Sequence, residues 1–203
     1  MNTKSLVVAL VLGAALAAGV LLSLRNAEAP REPRSATILP VPFDLPDFRL
    51  TDHTGQPAGP STFSGQWDLV FFGFTNCPDV CPLTLQALAV ARRQLEQDGF
   101  EPLPRIVLVS VDPERDSLDA LAAYVDSFGE GVIGLTGPID ELRRLADALG
   151  IYFNKVGTAT DFYAVDHSSV VVVIDPEGKY RALFSAPHSS ETFVHDLPIL
   201  LRS

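Results

Sequence analysis

The chain has 203 residues, of which 47% are hydrophobic and 20% charged, and its formal net charge is -10. That is enough apolar material for one ordinary domain with residues to spare, and it excludes a wholly disordered chain. An acidic average field, with no basic and aromatic cluster to offset it, excludes a nucleic-acid binder. The two cysteines, Cys77 and Cys81, are too few for a disulfide-dense scaffold or an all-cysteine zinc site.

Leu6 to Leu24 carries no charged side chain. As a helix this run reaches about 28 Å, close to the hydrocarbon thickness of a bilayer. The sequence therefore predicts a membrane anchor over residues 1–25. A cleaved signal peptide competes with it, because Ala27-Glu28-Ala29 has the small-x-small pattern, although Pro30 stands at the cut. A third reading, a buried soluble helix, lacks an obvious protein to surround it. Positive charges flank the run on both sides, so charge counting does not fix the topology. Residues 26–40 mix charges with Pro30, Pro33 and Pro40 and read as a flexible tether. Residues 41–203 then form the folded domain.

In that domain Phe48 to Thr51 reads as a short strand before the turn Asp52-His53-Thr54-Gly55. Leu69-Val70-Phe71-Phe72 is a continuous apolar run, as in a strand buried on both faces. Leu85, Leu88 and Leu95 follow at helical spacing, with Arg92, Arg93, Gln94 and Glu96 left for solvent. Ile106 to Val111 predicts the next strand. Ser117 predicts a helix cap, with the helix running to Phe128. Val132 to Leu135 predicts a strand, Ile139 to Leu149 a helix, and Val170 to Ile174 a strand. Asp175-Pro176-Glu177-Gly178 turns that strand into a hairpin with Lys179 to Phe184. A last helix starts near Ser189 or Ser190, with Pro198 limiting its final turns. This order predicts an α/β chain with a mixed central sheet and helices on both faces, the three-layer arrangement of a thioredoxin-like fold. No glycine-rich phosphate loop is present.

The chemistry concentrates after the apolar strand, in Asn76-Cys77-Pro78-Asp79-Val80-Cys81-Pro82. The loops after strand ends are where α/β sheets present ligands. The i,i+4 spacing puts both thiols on one face of a helical turn, and a helix N-terminus beside them favours thiolates. Two thiolates suit Cu(I) and also accept Zn(II). Two buried structural cysteines, or a structural disulfide, are the plainer readings. A metal site needs a third donor. His167, in Val165-Asp166-His167-Ser168-Ser169, precedes the valine-rich strand and would complete a two-sulfur, one-nitrogen copper set. Taken alone it reads equally well as structural. His53, His188 and His195 read as surface or capping histidines. Asp112-Pro113-Glu114-Arg115-Asp116 follows a buried strand and reads two ways. It fixes the copper loop through hydrogen bonds or shapes a docking face, or it is only a turn and helix start.

Together these residues resemble the Sco/SenC family of copper chaperones for cytochrome c oxidase assembly. The resemblance runs from Gly73-Phe74-Thr75-Asn76-Cys77-Pro78-Asp79-Val80-Cys81-Pro82 through Ser110-Val111-Asp112-Pro113-Glu114-Arg115-Asp116 and Leu135-Thr136-Gly137. It ends at Val165-Asp166-His167-Ser168-Ser169 and Asp175-Pro176-Glu177-Gly178, and covers roughly Phe43 to Leu200. It implies a membrane-tethered domain in the bacterial periplasm, or in the mitochondrial intermembrane space if the chain is eukaryotic. It implies Cys77, Cys81 and His167 as ligands of Cu(I) or Cu(II), and the copper domain of oxidase subunit II as acceptor. A periplasmic copper donor or thiol reductant is a further implied partner. Asn76 stands where relatives often have histidine or an aromatic residue, and Ser117-Leu118 where Thr-Pro is common; the three ligand positions are intact.

The competing function is a thiol-disulfide oxidoreductase that keeps the acceptor's cysteines reduced, with Cys77 attacking and Cys81 resolving. A peroxidase using Cys77 and Arg115 fits less well, because the spacing to Cys81 is short and His167 would have no part.

Overall fold

The computed structural model describes residues 32–157 and 163–202, with residues 2, 12, 13, 15–17 and 19. The chain divides into two compact units, Met1–Glu32 and Pro33–Ser203. In the first, the described residues Leu12, Gly13, Ala15, Leu16, Ala17 and Gly19 are helical. The rest of the apolar run read as an anchor, and the Ala27–Ala29 pattern, lie outside the described residues. Among the described residues no helix is long and apolar enough to cross a membrane.

The second unit is a mixed α/β domain. Its strands are β1 (Ala36–Asp44), β2 (Leu50–Asp52), β3 (Pro57–Ala58), β4 (Asp68–Gly73), β5 (Arg105–Ser110), β6 (Val132–Thr136), β7 (Phe153–Val156), β8 (Ala164–His167), β9 (Val171–Ile174) and β10 (Lys179–Phe184). Its helices are α1 (Val80–Gln97), α2 (Leu118–Asp126), α3 (Ile139–Ala148) and α4 (Ser190–Leu200). Eight strands form one sheet in the order β1-β10-β9-β4-β5-β6-β2-β3, and β7 pairs with β8 in a separate two-stranded sheet. Strands β4, β5 and β6 run parallel, while β9 lies antiparallel to β4. This is the mixed central sheet that the element order predicts.

The apolar run in β4 explains its central place. Leu69, Val70, Phe71 and Phe72 alternate between the two faces, yet none is exposed. Both faces of the sheet are therefore covered at its centre. In register, Phe71 sits beside Leu108, and Leu108 beside Gly134, so the three share one face. Gly73, two residues beyond Phe71, shares that face too. A Cβ on Gly73 would meet Cys81 of α1, and a Cβ on Gly134 would meet Leu121 of α2. Thus α1 and α2 cover the same side of the sheet, and α4 packs alongside α1.

The helices obey their sequence signals, with small shifts. Leu85, Leu88 and Leu95 of α1 are buried. Arg92, expected in solvent, is half-buried because its Nε donates to the Pro104 carbonyl at 3.1 Å. The Ser117 hydroxyl accepts the Ala120 N–H at 3.2 Å and starts α2, which ends at Asp126, short of Phe128. Helix α4 carries Pro198 internally and still reaches Leu200.

Strand β1 begins at Ala36, inside the stretch read as a tether. It is an edge strand with a register shift between Ile38 and Phe43, which lets the ladder skip Pro40 and Pro42. Asp196 of α4 secures its entry. The buried carboxylate accepts the N–H groups of Arg34, Ser35 and Ala36 at 2.9, 2.8 and 3.0 Å.

Candidate metal centre

Strand β4 ends at Gly73, and the chain turns through Phe74 to Asp79 before α1 begins. The Cys77 N–H closes this turn on the Phe74 carbonyl at 3.3 Å. The first turn of α1 then presents the Cys81 N–H to Cys77 Sγ at 3.4 Å. An orphan amide of a helix N-terminus thus finds a sulfur acceptor. Cys77 is 9% exposed and Cys81 is fully buried; both are free thiols.

Cys81 Sγ lies against the sheet where Gly73 has no side chain. A Cβ built there would stand 2.9 Å from the sulfur. Burial pushes the Cys81 thiol well above the ordinary thiol range, and the neighbouring Cys77 adds to the rise.

His167 arrives at the end of β8, paired with Phe153 of β7. Its ring stands edge-on to Phe71 and Phe74, with centroids 5.7 and 5.9 Å away. Its Nδ1 faces the Ser168 carbonyl at 3.2 Å, and Nε2 faces Cys81 Sγ at 3.3 Å. A carbonyl only accepts, so Nδ1 carries the proton and Nε2 has a free lone pair. Cys81 S–H donates to that lone pair. Burial holds His167 below the usual histidine value, against opposing contributions from the Ser168 carbonyl and Asp166, which keeps the ring neutral. The ligand atoms of Cys77, Cys81 and His167 all lie within 4.8 Å of one another.

The structure therefore gathers the two sulfurs and the nitrogen that the sequence singled out. Two soft donors and one imidazole suit Cu(I), and loading requires loss of the proton that Cys81 now donates to His167. A cleft of about 480 Å³ opens over the group, walled by Phe74, Asn76, Pro78 and Val165. The other histidines serve elsewhere. His53 Nδ1 accepts the Gly134 N–H, His188 Nε2 donates to the Ser169 carbonyl, and His195 pairs with Asp196. All three are half-buried rather than on the surface.

The acidic segment after β5 reaches the centre along two routes. Asp112 accepts from the Tyr163 hydroxyl and pairs with Arg115, whose Nη1 donates to the Tyr163 carbonyl at 3.1 Å. The Tyr163 ring lies between two cations, with Arg115 at 3.8 Å and Lys155 at 3.7 Å from its centroid. Lys155 also pairs with Glu114 at 2.6 Å. This clamp holds the foot of the strand that carries His167. The second route is Asp116, which binds Thr75 and Ser110. The sequence offered no sign of the Tyr163 clamp, since Tyr163 and Asp112 are 51 residues apart.

The model of the SCO1/SenC family matches residues 43–202. The chain is 38% identical over 152 residues to the mitochondrial SCO2 homolog of Mus musculus, an alignment covering 74% of this chain and 60% of that protein. The chain thus spans less than two thirds of that relative's length. Among solved structures, Arabidopsis thaliana ScoI with copper bound superposes with a TM-score of 0.73 at 30% identity, covering 79% of this chain and 99% of that one. Apo Sco1 from Thermus thermophilus superposes with a TM-score of 0.72 at 35% identity, covering 82% of this chain and 96% of that one. The extent of the family match and the level of these identities have one reading: the chain belongs to the SCO1/SenC family.

Proposed function

We propose that this chain is a copper chaperone. Cys77 Sγ, Cys81 Sγ and His167 Nε2 take up one copper ion as cargo and pass it to the dinuclear copper centre of cytochrome c oxidase subunit II. The observation that carries this reading is the convergence of the three donor atoms within 4.8 Å under an open cleft. Three protein donors hold a soft cation and leave a face for an incoming ligand of the acceptor, so cargo is bound without being sealed in. Family membership and the copper carried by the similar Arabidopsis protein support it. The apolar run Leu6–Leu24 supports a membrane tether, and family membership favours a domain on the periplasmic side of the inner membrane, or in the intermembrane space.

The test is Cu(I) titration of wild type, C77A/C81A and H167A, followed by transfer to an isolated subunit II copper domain. One equivalent bound by wild type, none by the double variant and weakened binding by H167A are expected. Unchanged tight binding in both variants would sink the assignment.

A second reading, reduction of the acceptor's cysteines, is favoured by the unequal exposure of the pair. Cys77 reaches the cleft while Cys81 is enclosed. Cys77 thiolate attacks the acceptor disulfide, forms the mixed disulfide and releases one acceptor thiolate. Cys81 then attacks Cys77 sulfur and releases the second, so two electrons leave the pair as its own disulfide forms. C81S should trap an acceptor on Cys77, and no trapped species would count against this order.

A further inference from the structure

Asp116 is buried, with 2% of its surface exposed. Its Oδ2 accepts the Thr75 N–H at 3.0 Å and the Ser110 hydroxyl at 2.6 Å, and its Oδ1 accepts the Thr75 hydroxyl at 2.6 Å. The Ser110 hydroxyl oxygen in turn accepts the Asp112 N–H at 3.2 Å. Among the described residues no cationic side chain pairs with Asp116; its neighbour Arg115 pairs with Asp112. A buried carboxylate without a counter-ion is costly, and three converging donors are what hold it. They come from β5 and from the turn that leads to Cys77.

Thr75 is held at both its amide and its hydroxyl, so neither its backbone nor its side chain is free to turn. From there the chain of bonds is short. The Phe74 carbonyl closes on the Cys77 N–H, and Cys77 Sγ accepts from the Cys81 N–H. Asp116 therefore anchors the front of the turn, and the start of α1 anchors its back.

We propose that Asp116 is a positioning residue for the thiol pair. It fixes Thr75 against β5, so that Cys77 Sγ stands at ligand distance from Cys81 Sγ before cargo arrives. Hydrogen-bond geometry is the agent, rather than the negative charge. That distinction is open to test, because Asn can keep the geometry. Its amide oxygen replaces Oδ2, and its NH2 donates to a Thr75 hydroxyl turned to accept. Ala keeps neither. This inference rests on the metal reading of the site, but its consequence for the thiol pair does not.

The test uses the full chain in detergent, as wild type, D116A, D116N and T75V. Cu(I) affinity is read by competition with a chromophoric chelator, and the Cys77–Cys81 thiol-disulfide equilibrium against glutathione. Direct partners of metal ligands contribute about tenfold to a hundredfold in affinity; Asp116 acts through Thr75, so D116A should weaken binding by about tenfold, the low end of that range, T75V by less, and D116N by under about threefold. The thiol-disulfide constant should shift in the same order, with Asn near wild type. D116A matching wild type in both readouts overturns the proposal. So do equal losses in D116A and D116N, because charge would then be the agent. If D116A does not fold by circular dichroism, T75V decides, and wild-type values for T75V overturn the proposal. If wild type binds no Cu(I), the metal reading fails by itself and the thiol-disulfide arm decides the positioning role.

Discussion

Cys81 and His167, 86 residues apart, meet as thiol and imidazole, with Cys81 Sγ 3.3 Å from His167 Nε2. The thiol stays protonated because it is fully buried, and partial burial lowers the proton affinity of the ring. Metal replaces one proton between two atoms already facing each other. The partner sulfur differs, since Cys77 lies at the floor of the cleft.

That difference predicts unequal reactivity. Under limiting maleimide Cys77 should be labelled at least about tenfold faster than Cys81, because exposure and thiolate character govern thiol reactions. Peptide mass mapping against time reads the two rates. Equal rates would show that the sulfurs share one environment.

Gly73 predicts a substitution that injures the site from beneath. In Gly73→Ala the added Cβ would stand 2.9 Å from Cys81 Sγ and 3.0 Å from a Phe71 ring carbon. Overpacking of this kind costs about 1–3 kcal/mol, and here it also displaces a ligand atom. Cu(I) affinity of the folded protein should fall. Gly134→Ala is the control, because its Cβ would strike Leu121 on the same face of the sheet and no ligand atom. It should lower the urea midpoint and leave the affinity of the folded fraction intact. Equal affinity losses would refute the contact argument.

Tyr163→Phe removes the hydroxyl that Asp112 accepts and leaves the ring between its two cations. Loss of a buried hydrogen bond to a charged acceptor costs about 1–3 kcal/mol. The effect should be local, with faster amide hydrogen exchange in β7 and β8 and unchanged exchange in β4 and β5. Exchange that rises everywhere, or nowhere, would mean that Tyr163 does not hold the strand bearing His167.

Asp196 predicts an acid limb of stability. Burial alone would raise its carboxyl, but the amides of Arg34, Ser35 and Ala36 and the side chain of His195 outweigh burial and hold it below the ordinary 3.8. The unfolded chain therefore binds this proton more readily than the folded one. The contribution of Asp196 is fully present above the ordinary value and is lost as pH falls through the lower folded value. In urea melts Asp196→Asn should be less stable than wild type at neutral pH, and the gap should narrow below about pH 4. A gap that is constant with pH would remove the carboxylate from the account.

Most of the central fold was legible because period and punctuation agreed. The four-residue apolar core of β4, the leucine spacing of α1 and the Ser117 cap each lie within a few residues of what they specify. Strand β1 was not legible. Pro40 and Pro42 argue against a strand, and only an edge position with a register shift makes room for them. Strands β7 and β8 are short and expose much of their length, so they carry little hydrophobic pattern. In the centre, Cys77, Cys81 and His167 were legible from residue type and position after or before buried strands. Gly73 and Thr75 were not, because one matters for an atom it lacks and the other for a carboxylate 41 residues away.

The missing side chain at Gly73 places the Cys81 sulfur, a proposed copper ligand, in the row of the sheet's own side chains. Cargo thus enters the protein as an additional core group. By linkage, each tenfold tighter binding adds about 1.4 kcal/mol to the stability of the loaded form. A loaded chain resists heat and proteolysis better than an empty one, so its lifetime becomes a measure of the copper supplied to it.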